Sequence, residues 1–272
     1  MKKLMFAAAV AAGFAAFGDG IESANTVGYQ QIELTAKNTI VGINFLGTDG
    51  NAMTLNDAVP YVTGMTQGNS INTADQIQIQ TSTGGYTVYY MSNGKNAKGT
   101  GDVAGLAGKW AKGGTYTPTT DTVAAGQAFW YVRQNYTDGD PALTLTVAGQ
   151  VCTLASSSKD INIQYTHIAN PYPTDLPLND GIPYVTGMTQ GNSINTADQI
   201  QIQTSTGGYS VYYMSNGKNA KGTGDVSGLA GKWAKGGTYT PTTDSIPAGK
   251  GAWFCRQGST DFQITIARPF DL

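Results

Sequence analysis

Gln76-Ile77-Gln78-Ile79-Gln80 alternates strictly between polar and apolar residues. Successive side chains of an extended chain point to opposite faces, so the isoleucines share one face and the glutamines the other. Ser82 to Gly85 supplies a glycine-rich turn, and Tyr86 to Met91 returns as a strand of β-branched and aromatic residues. Asn93-Gly94 closes that strand with strong turn chemistry. The pattern predicts a β-hairpin. From Gly94 to Gly114 no period is sustained, which predicts a long surface loop with Trp110 near its end. Gln127 to Arg133 reads as an aromatic strand, Tyr136 to Pro141 as a turn, and Leu143 to Val147 as an alternating closing strand. Thr26 to Leu34 and Asn38 to Leu46 supply two earlier strands, and Thr54 to Val59 one helical turn before Pro60. Short strands between glycine-rich turns predict an all-β fold with little helix, an antiparallel β-sandwich or partly open barrel.

The same pattern occurs twice. Pro60 to Asp121 recurs as Pro183 to Asp244, an offset of 123, with Thr87 replaced by Ser210 and Ala104 by Ser227 as the only changes. Trp130-x-x-Arg133-Gln134 recurs as Trp253-x-x-Arg256-Gln257, while the residues around it drift and stay largely apolar. That period is far longer than the roughly 20 to 50 residues of a solenoid repeat, so each copy is expected to be a whole domain. The expected organisation is a first β-domain over 19–148 and a second over 149–272, preceded by a segment over 1–18.

That first segment sets the expected compartment. Met1-Lys2-Lys3 is followed by an alanine-rich apolar run to Phe17, with small residues at Ala16 and Gly18 before Asp19. This is the three-part pattern of a secretory signal peptide, and the run of about 14 residues falls short of the about 20 that a spanning helix needs. Removing it leaves 14 basic against 18 acidic residues, a net charge near −4. Without a basic block, neither nucleic acid nor an anionic membrane is an expected partner. Charged residues are only 12% of the chain, about half the usual share. Export to the cell surface or medium is therefore expected, with no membrane span after cleavage.

Glu22-Ser23-Ala24-Asn25-Thr26-Val27-Gly28-Tyr29, Asn170-Pro171-Tyr172-Pro173-Thr174-Asp175 and Ile246 to Phe254 carry a likeness. Together they resemble secreted, functionally uncharacterised two-repeat β-proteins of environmental and gut bacteria. In the first copy Gly47-Thr48-Asp49-Gly50 replaces the Asn-Pro-Tyr-Pro segment, so that element is not needed by both. The resemblance implies export and a β-fold, and no catalytic residues.

Reactive chemistry is sparse. His167 is the one histidine, and at the offset of 123 it faces Asn44, which makes it a polar strand residue rather than part of a triad or metal site. Asp57, Asp75, Asp102 and Asp121, with Asp180, Asp198, Asp225 and Asp244, lie near Gly, Asn, Thr or Pro, as turn aspartates do. Gly99-Thr100-Gly101-Asp102 lacks the βαβ context of a phosphate loop. No catalytic residue, metal or cofactor is assigned. The offset maps Cys152 to Tyr29 on the first strand and Cys255 to Val132 on the penultimate one. If those strands are neighbours, an exported chain should join Cys152 to Cys255 in a disulfide; two free buried thiols are the alternative. Aromatic residues are the remaining binding chemistry, although core packing is the commoner role for any one of them. Trp110 and Trp233 beside the polar loops are the candidates for exposure, and Tyr116 and Tyr239 join them as candidate ligand-binding residues. The leading expectation is a structural or adhesive surface protein that assembles with itself as a matrix or fibre subunit. The alternative is a tandem carbohydrate-binding protein.

Overall fold

The computed structural model describes residues 26–271, so the expected signal segment lies outside the described residues. The fold is all-β. In the first half, β1 (Val27–Leu34), β2 (Asn38–Gly42), β3 (Phe45–Leu46) and β4 (Met53–Thr54) lead to the single helical turn α1 (Leu55–Ala58). β5 (Gln76–Gln80), β6 (Tyr86–Met91), β7 (Trp110–Lys112), β8 (Thr122–Val123), β9 (Ala128–Val132) and β10 (Leu143–Val151) follow. β5 and β6 form the expected hairpin, its turn made possible by Gly84 at φ +86°. Thr54 caps α1 by accepting from the Asp57 N–H, and its hydroxyl meets the Asp57 carboxylate at 2.6 Å.

Two antiparallel sheets enclose the core. One runs β2-β9-β5-β6-β7 and the other β1-β10-β3, with β4 and β8 a short ladder of their own. The alternation of Leu143, Leu145 and Val147 turns all three inward, against Val41, Ile77, Phe129 and Tyr131 of the facing sheet. This is sandwich packing, with no closed barrel among the described residues.

The second half repeats the five-stranded order. β11 (Ser156–Ile161), β12 (Tyr165–Ala169), β13 (Leu176–Pro177), α2 (Leu178–Gly181), β14 (Gln199–Gln203) and β15 (Tyr209–Met214) come first, then β16 (Trp233–Lys235), β17 (Ser245–Ile246), β18 (Gly251–Cys255) and β19 (Phe262–Ala267). Its sheet is β12-β18-β14-β15-β16, and β11 pairs with β19 across the second core. The core changes between adjacent residues: Val151 packs in the first cluster and Cys152 in the second.

Three sequence expectations are corrected here. The stretch from Gly94 to Gly114 is not all loop, because Trp110–Lys112 pairs with β6 as an edge strand. Asn38 to Leu46 is two strands, because the chain leaves the five-stranded sheet after Gly42 and joins the other at Phe45. The offset of 123 also fails before α1, although it holds for α1 and α2 and for β9 and β18 on either side of the near-identical block. Gly42 to Leu55 spans 13 positions but Ala169 to Leu178 only nine, so β2 corresponds to β12 at an offset of 127. His167 pairs with Trp253 as Ile40 pairs with Trp130; Ile40, not Asn44, is its counterpart.

Candidate functional site

The tryptophans expected at the surface are in the cores. Trp110 and Trp233 are both 0% exposed. They lie on edge strands, but the strand turns their indoles inward, where Trp110 meets Tyr131 edge-on at 6.0 Å and Trp233 meets Phe254 at 6.0 Å. Each indole N–H donates to a carbonyl that the core would otherwise leave unpaired, Val59 for Trp110 and Ile182 for Trp233, both at 2.6 Å. Tyr116 and Tyr239 are half-buried against small clusters around Tyr90 and Tyr213. None of the four forms an open aromatic surface.

The expected Cys152–Cys255 disulfide is absent; both thiols are free and buried. Cys152 sits within the second core. Cys255 follows Phe254 on β18, and since Phe254 points into that core, Cys255 points to the other face. A disulfide needs β-carbons about 3.8 Å apart, which opposite faces of a sheet do not allow. The premise of neighbouring strands also fails: Tyr29 pairs with Ala148 in one sheet, while Val132 pairs with Asn38 and Gln76 in the other. Burial pushes the Cys255 thiol up to about 12.

Most of the aspartates are occupied by structure. Asp75, buried, accepts from the Gln134 N–H at 2.8 Å and the Tyr131 hydroxyl at 2.9 Å. Asp198 accepts from the N–H groups of Gln257 and Thr189. Asp121 and Asp244 accept from Tyr89 and Tyr212, while Asp102 and Asp225 pair with Lys95 and Lys218. Desolvation raises the Asp75 and Asp198 carboxyls above their ordinary value against these bonds.

The chemistry that remains lies where the two halves meet. The glutamine faces of β5 and β14 turn toward the opposite half, and each ends in a clamp. Gln80 donates from Nε2 to the Tyr165 carbonyl and accepts at Oε1 from the His167 N–H, both at 2.8 Å. Gln203 does the same to β2, donating to the Asn38 carbonyl at 2.7 Å and accepting from the Ile40 N–H at 3.0 Å. A side-chain amide thus takes the place of a neighbouring strand on each exposed edge. Between the clamps the sheets approach closely. The Gly42 N–H donates to the Gly249 carbonyl at 3.0 Å, and a β-carbon on Gly251 would lie 2.5 Å from Ile40 Cγ2.

An aromatic group fills this seam. The His167 ring lies 3.9 Å from Trp253 between centroids and 5.7 Å from Trp130, with Tyr86 at 6.0 Å. Tyr165 meets Trp253 edge-on at 6.3 Å. His167 is only 2% exposed, neither ring nitrogen has a partner, and burial with the nearby Lys159 charge lowers its pKa to about 3. It is the strand residue expected, on β12, but buried as a neutral imidazole.

Two hollows open at the His167 side of the seam. One, of about 460 Å³, is bordered by Tyr86, Tyr165, Trp253, Thr83 and Gln164. The other, of about 270 Å³, is polar and bordered by Lys159, Asp160, Thr166 and His167; Gln80 and Ile163 line both. Tyr165 is 52% exposed at the rim, and Tyr86 is exposed as well. Sequence reasoning missed this site because its parts come from both halves; the unexplained glutamine face of the hairpin was its only local signal. Compared with family models, with curated proteins and with solved structures, the chain matches none.

Proposed function

We propose that this chain is an exported adhesive protein that binds saccharide in the aromatic hollow between its halves. One observation carries the reading: Tyr86 and Tyr165 are exposed at a hollow that the half-buried Trp253 also lines, beside the amide of Gln164 and the hydroxyl of Thr83. Sugar rings present apolar C–H faces ringed by hydroxyls, and an exposed aromatic ring beside a few hydrogen-bonding groups is complementary to both. Export rests on the pattern of the first 18 residues. Assembly by strand addition has less to support it. Gln80 and Gln203 occupy the edges of β12 and β2. Asn56 and Asn179 accept from the N–H groups of Trp110 and Trp233 on the opposite edges.

A panel of neutral and charged oligosaccharides, titrated while Trp fluorescence is followed, tests the reading. At least one saccharide should bind, and Tyr165→Ala should weaken it about tenfold, the equivalent of about 1.4 kcal/mol. A panel without any binder, or binding indifferent to Tyr165→Ala, would sink it.

A further inference from the structure

The polar hollow beside the aromatic wall holds a cation that makes no direct ion pair. Lys159, on β11, is half-buried, and burial lowers its pKa below the ordinary lysine value. Among the described residues it makes no ion pair, whereas Lys95, Lys112, Lys218 and Lys235 each reach an aspartate. Lys250, desolvated in the same way, donates to the Glu33 carbonyl at 2.7 Å. Asp160 borders the same hollow and its charge partly offsets the desolvation of Lys159, but as the adjacent strand residue it projects to the other face, and its Oδ1 accepts from Gln263 at 2.8 Å. His167 lines the hollow too, neutral, buried and without a partner at either nitrogen. An ammonium taken partly out of water without a direct ion-pair partner is costly, the Asp160 charge offsets only part of that cost, and an arriving anion recovers more of it.

We propose that the ligand is an acidic saccharide, its sugar ring on Tyr165 and its carboxylate against Lys159 in the adjoining hollow. The inference rests on the saccharide reading above and adds the ligand's charge. Gln80 and Ile163 line both hollows, so the two adjoin and the sugar acid spans them.

The test uses the full chain and three probes: tetragalacturonate, its methyl ester, and sodium sulfate as a free anion. Each is titrated against the unaltered protein, Lys159→Met and Tyr165→Ala, with circular dichroism to check folding. The acid should bind about tenfold more tightly than the ester. Lys159→Met should erase that preference, and Tyr165→Ala should weaken both saccharides alike. Raising salt from about 0.05 to about 0.5 M should weaken the acid only. Equal binding of acid and ester, unaffected by Lys159→Met, overturns the charge assignment and leaves the saccharide reading standing. Sulfate binding that depends on Lys159, with no saccharide bound, overturns both.

Discussion

The two halves differ at only two positions between 60–121 and 183–244, yet they diverge at the strand each presents to the other. β2 offers Asn38 and Ile40 at the positions where β12 offers Tyr165 and His167. The clamps that hold these strands are equivalent: Gln203 and Gln80 bond only to main-chain N–H and C=O groups. Because the clamps read backbone alone, the side chains at the seam are free to differ without moving the strands. One side of the seam thereby carries an aromatic wall and a buried imidazole, and the other an asparagine and an aliphatic side chain. A duplicated scaffold supplies two similar edges, and divergence at a handful of side chains makes one of them the candidate site.

The largest expected effect tests the equivalence of the cores. Trp110→Ala and Trp233→Ala should each destabilise by about 3 to 5 kcal/mol in urea unfolding, because each empties a fully buried indole and leaves a carbonyl unpaired. Costs differing by more than about 1 kcal/mol would show that the cores are not equivalent. Next comes the seam itself. Gly251→Val should cost about 1 to 3 kcal/mol, since its side chain would meet Ile40 and Ala128 across the contact, and calorimetry should resolve a separate transition for each half. A single unshifted transition would mean that the halves do not rely on this contact.

The smallest effect sharpens the difference between the sides. His167→Ile gives β12 the side chain that β2 carries and should stabilise the chain at pH 7 by about 1 to 2 kcal/mol, by removing unpaired buried nitrogens. The pH dependence should change with it. Folded His167 holds its proton only near pH 3, against about 6.5 when unfolded, so the unfolded state binds more protons in between. Its contribution is complete above about pH 6.5 and is lost as pH falls toward 3. The raised carboxyls of Asp75 and Asp198 act in the opposite direction, favouring the fold as they protonate, so the difference between the two proteins isolates the histidine. Parallel pH curves for the two would contradict a buried neutral imidazole.

Local signals were legible wherever one face of a strand is buried and the other is not. Residues 76–80 and 86–91 formed the strands their alternation predicts, and the helical turn at Leu55–Ala58 lies within the expected stretch. The candidate site was not legible, because a polar loop beside Trp110 says nothing about which way an edge-strand side chain points. A constant offset likewise cannot see the unequal connections after β2 and β12, and so it misplaced the counterparts of His167 and Cys152.

By itself the sequence determined the extended conformation, the turns and the duplication, since all three depend on residues within a few positions of one another or on plain identity. Tertiary structure alone decided that Trp110 is core, that Cys152 and Cys255 lie on opposite faces, and that Gln80 of one half meets Tyr165 and His167 of the other. The reason is physical: a strand's alternation fixes that two faces exist, but which face is buried depends on what another part of the chain brings to cover it.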